Sequence, residues 1–184
     1  MPVDYEQYAK KIYEQNKSVG WWDNPNRCLF ECLQLVSTEV SEATEGERKN
    51  LMDDHLPHRK MGEVELADAL IRTLDLAGRL GFSYVPTSSE EAMKEMAHSK
   101  RYWSVGKLHL WINAGVVAVA DELSSGAVKE PVDKALSRLI DAIQVTANVF
   151  QYDIHGAMDE KLEYNKHRAD HKRENRQKEG GKAF

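Results

Sequence analysis

Two pairs of acids, Glu39-x-x-Glu42 and Glu65-x-x-Asp68, are the residues of this 184-residue chain whose types and spacing best suit chemistry. Residues three apart lie one above the other on a helix, so each pair aims two carboxylates in one direction. Both pairs interrupt apolar runs, Leu33 to Ala43 and Val64 to Leu80, so the faces that carry them are expected to turn toward a partner helix. Two carboxylates about 4 Å apart repel by about 1 kcal/mol in water and by more at lower dielectric. Four converging acids therefore need positive charge between them, and hard oxygen ligands suit Mg²⁺ or Mn²⁺. A solvated acidic face is the competing account of either pair alone. Taken together, the pairs argue against it, because neither carries the i+4 lysine ladder of such a face, although Arg72 and Asp75 extend the second row and allow ion pairing there.

A second constellation is Lys161-x3-Asn165-x2-Arg168, which falls at i, i+4 and i+7 on one helical stripe. A point charge, an amide and a forked guanidinium suit polyphosphate oxygens, with a solvated basic face as the alternative. Carboxylates that hold a metal and cations that hold phosphate belong together in phosphoryl chemistry. Trp21 and Trp22 stand in a loop broken by Asn24-Pro25, where they either stack on a nucleobase or staple the loop to the core. With Asn16 they form the candidate base or sugar contacts. His55 with His58, and His167 with His171, have spacings a metal can use but no nearby thiols, and are read as surface histidines. Cys28 and Cys32, four apart, suit neither a disulfide nor a four-ligand zinc site, and are read as small core residues in a reducing compartment.

Helices must position these groups. Apolar residues make up 41% and charged residues 30%, while Gly, Pro and aromatics are few, a balance that favours an all-α domain over a sandwich or barrel. The formal charge of −5 is uneven: residues 1–81 hold 15 acids and 10 bases, and the rest is balanced. Periodicity predicts helices over Tyr5–Gln15, Arg27–Glu47, Glu63–Arg79 with Gly81 as the stop, Lys107–Leu123, Val132–Tyr152 and Met158–His171, and another beginning at Ser88. Leu108 to Ala120, the longest apolar stretch, is too short to span a bilayer, and Met1 to Gln15 is charged throughout, so no membrane span or signal peptide is expected and the cytoplasm is the expected location.

An internal echo supports two units. Leu66-Ala67-Asp68-Ala69-Leu70 with Thr73 matches Leu139-Ile140-Asp141-Ala142-Ile143 with Thr146, and Lys94-x3-His98-x2-Arg101 has the spacing of the Lys161 motif. The second copy keeps Asp141 but has Arg138 in place of Glu65, so one complete acid quartet is expected per chain. The expected architecture is a four-helix-bundle-type core built from two tandem, diverged hairpin units within residues 1–171: repeat one at about 27–101, degenerate repeat two at about 107–168, then a polar tail at 172–184.

With these motifs the chain resembles the MazG-like, all-α nucleoside triphosphate pyrophosphohydrolases, whose signature E-E-x-x-E followed by E-x-x-D stands here as Thr38-Glu39-Val40-Ser41-Glu42 and Glu65-Leu66-Ala67-Asp68. The wording "STEVSEATEGERK", "GEVELADALIRTLDLAGRLG" and the ending "EKLEYNKHRADHK…GGKAF" is similar to the bacteriophage-type branch, and the Lys161 motif to the phosphate-binding motif of the related dimeric dUTPases. Residues 16–81 and 158–184 carry the likeness; Thr38 in place of the first Glu departs from it, as does the long segment before Lys161. The resemblance implies two to three Mg²⁺ or Mn²⁺ ions held by Glu39, Glu42, Glu65 and Asp68. It implies water attack at the α-phosphorus to give a monophosphate and pyrophosphate, and a homodimer or homotetramer. On this reading the β- and γ-phosphates fall to Lys161, Asn165 and Arg168, and Glu39 is the candidate general base. Base choice is expected to rest on the loops around Trp21, Trp22 and residues 50–61.

Three rival classes are weighed against it. A non-catalytic helical module would bind a nucleotide or a protein without turnover. A di-iron bundle wants Glu-x-x-His pairs, which neither acid pair supplies. A nucleic-acid binder is disfavoured by the negative net charge and by Glu174 and Glu179 in the otherwise basic tail.

Overall fold

Helix ends follow local chemistry. Asp4, Ser104 and Asp153 each accept a hydrogen bond from the backbone N–H three residues on, at 2.9, 3.2 and 3.0 Å, and each begins a helix. Asn50, Gly81 and Gln151 end helices in the left-handed conformation, which satisfies last-turn carbonyls. The computed structural model describes residues 3–86, 103–126, 128–168 and 175. Six helices run through them: α1 (Tyr5–Ser18), α2 (Leu29–Lys49), α3 (Met61–Leu80), α4 (Val105–Ser124), α5 (Lys129–Phe150) and α6 (Ile154–His167). No strand occurs among the described residues, and a single antiparallel bridge between Met52 and Lys60 closes the α2–α3 connection.

The all-α bundle expected from composition is what the chain forms. Helices α2 and α3 make one hairpin, α4 and α5 the other; α2 packs on α4 and α3 on α5, closing a four-helix core. Helices α1 and α6 both lie on α3. With neighbours on several sides, α3 buries 14 of its 20 residues, so acids along it have little water to turn to. Leu66, Leu70 and Leu74 of α3 meet Leu136, Leu139, Ile140 and Ile143 of α5 and Leu33, Val36 and Val40 of α2 in one buried cluster. Each such side chain contributes about 1.5–3 kcal/mol by leaving water. Two glycines bring backbones together. A Cβ on Gly46 would stand 2.9 Å from the Gly62 nitrogen, and one on Gly78 would collide with the Ala9 carbonyl oxygen of α1.

Boundaries shift where side chains hold turns that periodicity does not see. Helix α2 begins at Leu29, because the Asn24 side chain accepts from the Asn26 N–H and its carbonyl from Arg27, keeping Arg27 off the helix. Helix α5 begins at Lys129, with Pro131 tolerated in its first turn. The Gln151 turn excludes Tyr152, and the Asp153 cap starts α6 four residues before Met158. Helix α6 ends at His167, so Arg168 is its cap rather than a member of its stripe. Cys32 is buried as expected but Cys28, which precedes α2, is exposed, which corrects the expectation of two core cysteines. The internal echo has a local counterpart: Thr73 and Thr146 donate to the carbonyls of Ala69 and Ala142, both at 2.8 Å. The helix expected from Ser88, the Lys94 motif, His171 and all of the tail except residue 175 lie outside the described residues. No described helix is long and apolar enough to cross a membrane.

Candidate active site

The hairpin of α2 and α3 sets the acids face to face. Glu39, Glu42 and Glu65 each offer a carboxylate oxygen, and these lie within 4.8 Å of one another. Glu39 and Glu65 are buried and Glu42 is exposed. Opposed ligands of one oxygen-coordinated cation stand about 4–5 Å apart, so this all-oxygen donor set fits Mg²⁺ or Mn²⁺. Asp68 stands apart from the trio, held by Lys161 at 2.9 Å. Arg72, one turn along α3, donates through Nε to Glu39. Two of the four acids therefore already carry a cationic partner.

Electrostatics follow from this crowding. Burial pushes the Glu65 carboxyl up to about 9, and Asp68, Glu39 and Glu42 add repulsion against the pull of Lys161. Burial also raises Asp68, with Lys161 acting in the opposite sense. For Lys161 burial disfavours the charge, but Asp68, Glu65 and Asp53 outweigh it and hold the ammonium above its ordinary value. Without further positive charge Glu65 keeps at neutral pH a proton that a free carboxyl has already lost.

Beside the acids opens a cavity of about 270 Å³, lined by Asn16, Trp21, Arg27, Leu35, Asp68, Ile71, Arg72, Asp75, Asn165 and Arg168. Five residues singled out from three separate stretches of sequence, Asn16, Trp21, Asp68, Asn165 and Arg168, thus line one cavity. Lys161 does not line it; the ammonium is buried on Asp68 of its own chain, 3.4 Å from His55 Nδ1. Trp22 does not line it either. Its indole is buried, donates to Asp75 Oδ1 at 2.9 Å and meets Tyr13 edge-on, so it staples the loop. Residues 50–61 likewise stay at the α2–α3 connection and leave the cavity wall to others.

Arg27, Leu35, Ile71, Arg72 and Asp75 complete the cavity. Arg27 stacks over Trp22, 4.5 Å from the ring centroid, and donates to the Trp21 carbonyl at 3.0 Å. Asp75 is buried, which pushes its carboxyl up to about 6 despite hydrogen bonds from Trp22 and Asn16. Arg72 and Asp75 were visible as continuations of the Asp68 row, and only their roles were missing; Arg27 had no signal, since the sequence places it in a helix. His58 is exposed and paired with Glu160 at 2.8 Å, and His167 with Glu163, so neither reaches the acids. Compared with protein-family models, curated proteins and solved structures, the chain matches none.

Proposed function

We propose that this chain is a metal-dependent nucleoside triphosphate pyrophosphohydrolase that cleaves a (d)NTP to the monophosphate and pyrophosphate. What supports the reading is the juxtaposition of a three-carboxylate cluster with a cavity that also holds Asp68, Asn165, Arg168, Asn16 and Trp21. Glu39, Glu42, Glu65 and Asp68 would hold Mg²⁺ or Mn²⁺. When bound, such ions lower the pKa of water and neutralise charge on phosphate oxygens. Asn165 and Arg168 supply donors to the phosphates, Lys161 holds Asp68 in place and adds charge, and Glu39 takes the proton of the attacking water. Trp21 and Asn16 take the nucleoside at the far end. The same resemblance extends the proposal to a homodimer or homotetramer, which sedimentation of the purified chain tests.

The decisive assay is pyrophosphate release from a panel of dNTPs with Mg²⁺. Glu39→Gln and Asp68→Asn are each expected to lower kcat by at least about a hundredfold, the scale of losing a group that acts on the transition state. Undiminished turnover in both variants would end the assignment. One observation favours a second reading, a nucleotide-binding module without turnover: Arg72 and Lys161 already balance two of the four acids. Tight nucleotide binding with no product in Mg²⁺, Mn²⁺ or Co²⁺ would establish it.

A further inference from the structure

Arg72 stands at the junction of the acid cluster and the cavity. Its Nε is committed to Glu39, whose side chain is 7% exposed, whereas the Arg72 side chain is 38% exposed and lines the cavity. The two terminal amino groups of Arg72 make no hydrogen bond to any described residue. Arg59, by contrast, spends Nε and both amino groups on Glu63, Asp153 and Glu160. Arg27 donates to the Trp21 carbonyl. A guanidinium gripped at one edge and vacant at the other is a preoriented fork, and a forked guanidinium matches two oxygens of one phosphoryl group.

Position decides which phosphoryl group that is. Along α3, Asp68 belongs to the acids, Arg72 follows one turn on, and Asp75 follows another turn on, where Asn16 and Trp22 hydrogen-bond to it. Arg72 therefore lies between the acids and the nucleoside end of the cavity. We propose that Arg72 is a substrate-binding residue that grips Glu39 through Nε and offers its vacant amino groups to the α-phosphoryl group, the one the monophosphate product retains. This inference rests on the pyrophosphohydrolase reading. It predicts a product-binding contact that pyrophosphate does not share. It also links nucleotide binding to the posture of Glu39, since one guanidinium touches both.

Calorimetric titrations of the full chain in Mg²⁺ separate the possibilities, with the four deoxynucleoside monophosphates, the four deoxynucleosides and pyrophosphate as probes. Arg72→Lys keeps a cation for Glu39 but loses the second edge. It is expected to weaken the preferred monophosphate about tenfold, the scale of a lost charge-assisted hydrogen bond, while nucleoside and pyrophosphate affinities stay within about twofold. Arg72→Gln, which keeps a planar amide, is expected to weaken the monophosphate further. Unchanged monophosphate affinity in both variants would overturn the proposal, as would equal loss for nucleoside and monophosphate, which would mark a merely structural role. If the unmodified chain binds none of the nucleotides, the functional reading and this inference fall together. If it cleaves triphosphates while Arg72→Lys binds monophosphate normally, only the inference falls.

Discussion

Asp75 shows how one side chain serves both packing and cavity. Buried behind Trp22, it accepts the indole N–H at 2.9 Å and presents the rest of its carboxylate to the cavity wall. Burial raises its folded pKa to about 6 from an ordinary 3.8. The folded chain therefore binds more protons at this site than the unfolded chain between those values. The stability Asp75 contributes is fully present below pH 3.8 and is lost as pH rises through 6. Asp75→Asn keeps an acceptor for Trp22 and removes the ionisation, so its urea-unfolding free energy relative to that of the unmodified chain should rise by about 3 kcal/mol between pH 4 and 8. Parallel curves for the two proteins would refute this.

At the scale of elements, the cavity depends on how closely α1 approaches α3. Asn16 lies in the last turn of α1 and Trp21 follows the helix, so both go where α1 is docked. The docking rests on Gly78, whose missing Cβ leaves room for the Ala9 carbonyl and for Tyr13 Cβ, which would lie 2.6 Å away. Gly78→Ala should push α1 outward and cost about 1–3 kcal/mol, the usual scale of overpacking, lowering the melting temperature. It should also weaken nucleotide binding, measured by calorimetry, although residue 78 touches no ligand. Unaltered affinity in a destabilised variant would show that α1 does not set the cavity. Helix α6 plays the matching part on the other side, laying Lys161 against Asp68 and bringing Asn165 and Arg168 to the cavity.

At the scale of the whole molecule, the second hairpin packs on the first and closes the four-helix core. Asp141, the echo of Asp68, accepts from the Tyr84 hydroxyl at 2.6 Å. On α4 the buried His109 faces Thr44 of α2 at 2.7 Å and the edge of Phe150 at 6.0 Å, binding the two hairpins through a neutral ring. Burial lowers its pKa to about 4 from 6.5. A lowered folded pKa means that the stability from His109 is present above pH 6.5 and is lost as pH falls through 4. On going from pH 7 to pH 4 the melting temperature of the unmodified chain should lose ground relative to that of His109→Asn. A His109 ring that protonates near pH 6.5 by NMR would contradict it.

How much of this was legible in the chain varies by level. Helix existence and type followed from apolar spacing and caps, because these act within a few residues. The two acid pairs followed for the same reason, since spacing alone puts Glu39 above Glu42 and Glu65 above Asp68. Trp21 and Trp22 show where that reach stops. They are neighbours in a loop with no periodicity, and only the docked α1 and Asp75 turn one to the cavity and the other inward. Likewise, the sequence shows Arg72 and Lys161 as cations on two helices. Their capture by Glu39 and Asp68 depends on α3 lying at the centre of the bundle, where a buried carboxylate takes whichever positive group packing brings within reach.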